Sequence, residues 1–183
     1  MKKIILYYTD RYLGEKSHDL LLCAASLYSS LPQDSFQIIS EHGKKPYFGN
    51  YPDIHFSISH SENIWLCAFA EDEVGVDVQV MSHDRPWTKL AKRFFSTDES
   101  ALVRNADSPS ATFSRIWSRK EAVVKLFGVG INGLFTSFCS LGDTVQFMEK
   151  DALVQDFALD TRESHSAAIA YSDDFELEIH KLI

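Results

Sequence analysis

Asp77 lies in a run of valines, Val74-Gly75-Val76-Asp77-Val78-Gln79-Val80, and further along a second acid, Glu121, stands between Lys120 and Lys125 in the segment that begins at Trp117. A carboxylate inside an apolar strand is costly unless it is paired or holds a cation. Strand alternation sends the four valines to one face and Asp77 with Gln79 to the other. Helical spacing puts Trp117, Glu121 and Lys125 along one stripe, with Lys120 beside them. Two carboxylates and two lysines, supplied by a strand and a helix, are what a Mg²⁺-dependent transfer at phosphorus needs: hard oxygen ligands for the ion and ammonium groups that neutralise phosphate charge as it develops. Taken singly, the same residues also read as a solvated strand face and as an ordinary Glu–Lys helix pair, which stabilises by only a few tenths of a kcal/mol.

These groups need elements to hold them. Lys2 to Thr9 reads as a strand, and Gly14 to Ser30 as a helix with Leu20, Leu21, Cys23, Ala24, Leu27 and Leu31 on its apolar stripe, ended by Pro32. Phe36 to Ser40 reads as a short strand, 41–53 as a loop, and 55–60 with 64–71 as a hairpin around Ser61-Glu62-Asn63. The acidic stretch Glu71-Asp72-Glu73 marks a junction between halves 1–72 and 73–183. In the second half, strand 74–80 leads to a helix near 86–95. Ser96-Thr97-Asp98-Glu99 has capping-box form and starts a short helix to about Asn105. Asp107 to Ser110 is expected to turn, and a long helix to run from about Ala111 to Phe127 and stop at Gly128. Strand-like segments near 136–148, 165–171 and 175–181 close the chain. The halves share a coarse order of strand, helix and hairpin, with no readable sequence repeat.

Gly75-Val76-Asp77-Val78-Gln79, Phe94-Phe95-Ser96 with Glu99, and Trp117 with Lys120-Glu121-Ala122 and Lys125, in that order, resemble the 4′-phosphopantetheinyl transferases of the larger, surfactin-synthetase-activator type. Upstream, Gly43-Lys44-Lys45-Pro46 and Phe56-Ser57-Ile58-Ser59-His60-Ser61 are similar to further motifs of that family, and the likeness continues through Gly128 and Gly130. Short motifs recur by chance; several in the right order do not. The resemblance implies an α+β fold, a pseudo-dimer of two similar α+β halves with the active site in the cleft between them. It implies transfer of the phosphopantetheine group from coenzyme A to a serine of an apo acyl or peptidyl carrier protein. By the same resemblance, Asp77, Glu121 and Gln79 are the Mg²⁺ ligands, Glu121 also takes the proton of the attacking hydroxyl, and Lys125 offsets phosphate charge. Lys45, Ser59, His60, Lys120 and Lys125 are the expected coenzyme A contacts. Read alone, Lys45 is equally an exposed loop lysine, and His60 a structural histidine at a strand end. Two departures stand out. The family more often has Glu where Gln79 stands, and Arg11, Lys16 and His18 give no clear match to its N-terminal basic residues. A non-catalytic homologue that binds coenzyme A or a carrier protein, and a metal-dependent hydrolase of a nucleotide pyrophosphate, are the competing readings.

With 183 residues, 45% hydrophobic and 24% charged, the chain can bury a sizeable core. No apolar run approaches ~20 residues, so no membrane span is expected. The opening MKKIILYYTD meets polar residues too soon for a secretory signal. Three scattered cysteines, Cys23, Cys67 and Cys139, read as reduced core thiols of a cytoplasmic protein. The formal charge of −8 argues against a nucleic-acid partner. The charge is uneven, however: residues 85–125 carry nine Lys/Arg against four Asp/Glu, a local +5 that leaves −13 for the rest. An acidic partner such as a carrier protein is drawn to that one region. A solvated basic helix face is the alternative.

Overall fold

The computed structural model describes residues 2–14, 16–82, 84–129 and 134–182. Gly130, the last glycine of the motif series, lies outside them. Among the described residues the chain is a mixed α/β fold of four α-helices and two four-stranded sheets, with a two-stranded ribbon.

The first sheet is built from β1 (Lys2–Thr9), β4 (His55–Ser61) and β5 (Ile64–Ala70), after the short ribbon strands β2 (Ile38–Ile39) and β3 (Tyr47–Phe48). The β4–β5 hairpin turns at Glu62 and Asn63, with Glu62 at φ 51°, as a two-residue connection requires. Helix α1 (Ser17–Ser29) covers one face of this sheet, where Leu21, Ala24 and Ala25 meet Trp65, Cys67 and Phe69. It starts later than its apolar pattern suggests, and Leu27, expected on the stripe, is exposed. The other face, with Ile4, Leu6, Leu66 and Ala68, shares a core with Val74 and with Val76 and Val78 of the next strand, β6 (Gly75–Val80).

β6 begins the second sheet. Helices α2 (Trp87–Phe94), α3 (Thr97–Asn105) and α4 (Pro109–Leu126) follow, then β7 (Thr144–Phe147), β8 (Lys150–Phe157), β9 (His165–Tyr171) and β10 (Phe175–Lys181). The expected capping box is present: Ser96 Oγ accepts the Glu99 N–H and the Glu99 carboxylate accepts the Ser96 N–H. Helix α4 starts inside the expected turn, because Ser108 caps it and Pro109 suits a first helical turn. The second sheet has the order β6-β9-β8-β7, all antiparallel.

Two expectations need correction. The single segment 136–148 resolves into a 3₁₀ turn (Leu134–Ser137) and β7, and β8 is an additional strand. The β7–β8 turn uses Met148 and Glu149, both at positive φ, so no Asn-Gly or Asp-Gly signal announces it. The last strand, β10, does not stay with its half: it pairs in parallel with β1, giving the first sheet the order β10-β1-β5-β4. The boundary at 73 therefore divides the sequence but not the sheets. Of the cysteines only Cys67 is buried; Cys139 is exposed. No helix among the described residues is long and apolar enough to cross a membrane.

Candidate active site

The apolar alternation of β6 decides where Asp77 points. With Val76 and Val78 in the shared core, Asp77 faces the opposite way, toward α4, which packs over β6 and β9. The approach is close because residue 75 is glycine: a Cβ there would lie 1.9 Å from the Ala122 carbonyl oxygen and 2.4 Å from the Leu126 nitrogen. That contact sets β6 against the helical turn that carries Glu121 and Lys125.

Lys125 Nζ donates to Asp77 Oδ1 at 2.7 Å and to the Val76 carbonyl at 3.1 Å. Ser59 on β4 donates to the same Asp77 oxygen at 2.7 Å. Glu121 is buried, and burial, followed by the charge of Asp77, pushes its carboxyl up from the usual 4.5 to about 7 against the opposing pull of Lys125. One lysine thus serves two acids. A raised carboxyl beside an ionised one marks negative charge that the protein's own cations do not neutralise, and hard oxygen donors of this kind suit Mg²⁺. Among the described residues no cluster of three or more acid, histidine or cysteine side chains forms a metal cage, so a bound ion would rest on these two carboxylates, with the Gln79 amide as the neutral candidate. Gln79 Nε2 donates to the Val80 carbonyl at 3.3 Å and to Ser61 at 3.5 Å.

Glu121 and Lys125 open onto a cleft of about 570 Å³, with Val124 and Gly128 on the same side. The opposite wall is Gly43, Lys45 and Pro46, with Phe56 and Ser57 of β4. Gly128, at φ 65°, turns the chain away at the end of α4 and leaves the cleft open there. Lys45 reaches across the mouth: its Nζ donates to Glu73 Oε2 at 2.6 Å and to the Val74 carbonyl at 2.8 Å, while the other Glu73 oxygen meets His55 Nδ1 at 3.1 Å. Burial lowers the Lys45 pKa, and Glu73 partly restores it.

Lys120 corrects the expectation of a phosphate contact. One position on from Arg119 and one before Glu121, it points away from the cleft stripe, and its ammonium is wholly buried. There it pairs with Glu99 at 2.9 Å, donates to the Phe135 and Phe138 carbonyls, and lies 4.1 Å from the Phe138 ring centroid. His60 is exposed, with its ring 5.2 Å from that of Tyr12, and is not among the cleft's lining residues. Trp117 is packed edge-on to Phe94 and Phe135 and stacked on Phe113, and with Gln79, Arg85 and Trp87 it lines a smaller pocket of about 180 Å³. Glu73, Ser57 and Ser61, which the sequence motifs name without a role, join the site through their contacts. The alternation Ser57-x-Ser59-x-Ser61 was the available signal.

The 4′-phosphopantetheinyl transferase superfamily matches residues 73–178 of the chain. Two Bacillus subtilis 4′-phosphopantetheinyl transferases are each 37% identical to it. One matches over 125 residues, 66% of this chain and 54% of the relative. The other, Sfp of strain 168, matches over 136 residues, 69% of this chain and 59% of the relative. The 4′-phosphopantetheinyl transferase AcpT of Salmonella typhi is 38% identical over 104 residues, 55% of this chain and 52% of the relative. The chain belongs to the 4′-phosphopantetheinyl transferase superfamily. It spans between about half and three fifths of the length of these relatives.

Proposed function

We propose that this protein transfers the 4′-phosphopantetheine group of coenzyme A to a serine hydroxyl of an apo carrier protein in the cytoplasm, and that its two halves act as a pseudo-dimer around the cleft. The observation that carries this reading is the meeting of Asp77 from β6 with Glu121 and Lys125 from α4, where the latter two line a cleft walled by the Gly43–Pro46 loop. The serine oxygen forms a bond to the β-phosphorus of coenzyme A. The bond from that phosphorus to the bridging oxygen breaks, releasing adenosine 3′,5′-bisphosphate. Glu121 takes the hydroxyl proton, directly or through water. Lys125 offsets charge on the phosphates and the leaving group. Mg²⁺, held by Asp77 and Glu121 with Gln79, would neutralise pyrophosphate charge. The cleft itself orients coenzyme A, and positioning supplies much of the rate in transfers at phosphorus. Lys45 at the mouth and His60 farther along β4 are the remaining coenzyme A candidates.

An acidic carrier protein would dock on the basic segment. Lys89, Lys92 and Arg93 on α2 are exposed and carry its positive charge into solvent. A second reading, a homologue that binds without turnover, draws on Gln79 and on the absence of a third carboxylate among the described residues. Incubation with coenzyme A, Mg²⁺ and a panel of apo carriers, read by intact mass, tests the proposal. A carrier heavier by one phosphopantetheine group supports it. Coenzyme A binding with every carrier unchanged favours the non-catalytic homologue, and adenosine bisphosphate without a modified carrier favours the hydrolase.

A further inference from the structure

β4 is the outer strand of the first sheet and β6 the outer strand of the second, and the two lie side by side. Side chains join them. Ser57, Ser59 and Ser61, at alternate positions of β4, accept the N–H groups of Val76, Val78 and Val80 at 3.1, 3.3 and 2.9 Å. Both strands have a period of two, so three hydroxyls meet three N–H groups in register and satisfy an edge that would otherwise bury unpaired donors.

Each hydroxyl has one proton to give after it has accepted. Ser59 gives its proton to Asp77 Oδ1 at 2.7 Å. Lys125 donates to the same oxygen at 2.7 Å, so a strand of one sheet and a helix over the other pin the carboxylate through a single atom. Asp77 Oδ2 has no protein donor among the described residues. Ser59 is only 6% exposed, and both its donor role and an acceptor role are taken inside the protein.

We infer that Ser59 is a positioning residue for Asp77: it holds the carboxylate so that Oδ2 is presented to a divalent cation, and it is not a coenzyme A contact. The inference rests on the assignment of Asp77 and Glu121 as the cation-holding pair. Ser57 supplies an internal control, because it makes the same backbone contact with no carboxylate partner.

The test uses the full chain without coenzyme A and reads Mn²⁺ affinity by electron paramagnetic resonance. Ser59→Ala is expected to weaken Mn²⁺ binding about tenfold or more, the usual cost of removing a group that orients a metal ligand. Ser59→Thr, which keeps the hydroxyl, should recover most of it, and Ser57→Ala should leave it at the wild-type value. Both alanine variants orphan one buried N–H, so both should lower the melting temperature, Ser59→Ala by more because it also removes a donor to Asp77. Coenzyme A affinity measured without divalent metal should be the same in Ser59→Ala as in the wild type. Should Ser59→Ala not fold, Ser59→Cys, of similar size with a weak S–H donor, carries the same expectation. Equal Mn²⁺ affinity in Ser59→Ala and Ser57→Ala overturns the inference. So does a loss of metal-free coenzyme A binding in Ser59→Ala with Mn²⁺ affinity intact. A wild-type protein that binds no Mn²⁺ overturns the cation-pair assignment itself, a failure distinct from the other two.

Discussion

Helix α4 carries two lysines five positions apart, and each meets a carboxylate with opposite consequences. Lys120 and Glu99 are both wholly buried, and every polar group in that pair is answered: Glu99 accepts from Ser96, Ser140 and Lys120, while Lys120 also reaches two carbonyls and an aromatic face. Lys125 is partly exposed and shares its charge between Asp77 and the field of Glu121. Burial works to raise the Glu99 carboxyl, yet Lys120 and the N–H donors hold it below its ordinary value. Burial also works on Glu121, with the charge of Asp77 beside it, and there the pull of Lys125 offsets only part of the rise. A closed network fixes a fold, whereas a pair left short of positive charge is available to a ligand.

The largest expected effect breaks the first pair. Lys120→Met leaves Glu99 buried without its counter-ion and should cost about 3–5 kcal/mol of stability, read by urea unfolding; Lys120→Met with Glu99→Gln, which removes the charge and keeps an acceptor for Ser96 and Ser140, should recover part of the loss. If Lys120→Met instead leaves stability intact and abolishes coenzyme A binding, the contrast between the two lysines is wrong.

Asp77→Ala should do the reverse. It removes the anion that Lys125 and Ser59 hold, and turnover should fall by at least ~3 kcal/mol of transition-state stabilisation, while the fold survives. Steady-state rates beside a thermal melt check it, and comparable loss of both quantities would make Asp77 a structural residue.

Metal-free protein should show the Glu121 strain as a pH dependence. The folded carboxyl titrates near 7 and the unfolded one near 4.5. The folded state therefore keeps a proton that the unfolded state has released, and Glu121 lowers stability progressively as pH rises from about 4.5 to about 7. Glu121→Gln should flatten that slope in denaturant midpoints measured across the window. A slope unchanged by the substitution would show that Glu121 is not the strained group.

A smaller effect should come from Gln79→Glu, which adds a third carboxylate beside Asp77. Mg²⁺ should bind more tightly and half-maximal rate should need less metal; superimposed titrations would place Gln79 outside the ion's reach. The smallest effect should follow charge reversal of Lys89, Lys92 and Arg93 to Glu. Association with an acidic carrier should weaken at low salt and lose its salt dependence, with coenzyme A affinity unchanged. An unaltered Michaelis constant for the carrier would remove α2 from the docking surface.

Local chemistry made much of this molecule readable. The strand of alternating valines, the Ser96–Glu99 capping box, the hairpin of β4 and β5 and the long helix ended by Gly128 are written in residues next to or a few places from one another, where periodicity and capping operate. For the same reason the sequence itself put Asp77 and Gln79 on one strand face and Glu121 and Lys125 on one helix stripe. Only the tertiary structure decided what those faces meet. Gly75 marks the close approach of β6 to α4, but spacing does not say which helix will fill the space. Lys120 reads as a cleft lysine until Glu99 and the Phe135 and Phe138 carbonyls, all distant in sequence, are seen to enclose it. The bonds of Ser59 to Val78 and Asp77 come into view only when β6 is laid beside β4, and β10 reads as part of the second half until it pairs with β1. Hydrogen bonds and ion pairs between such segments depend on distances that the fold creates, and no propensity of the residues encodes them.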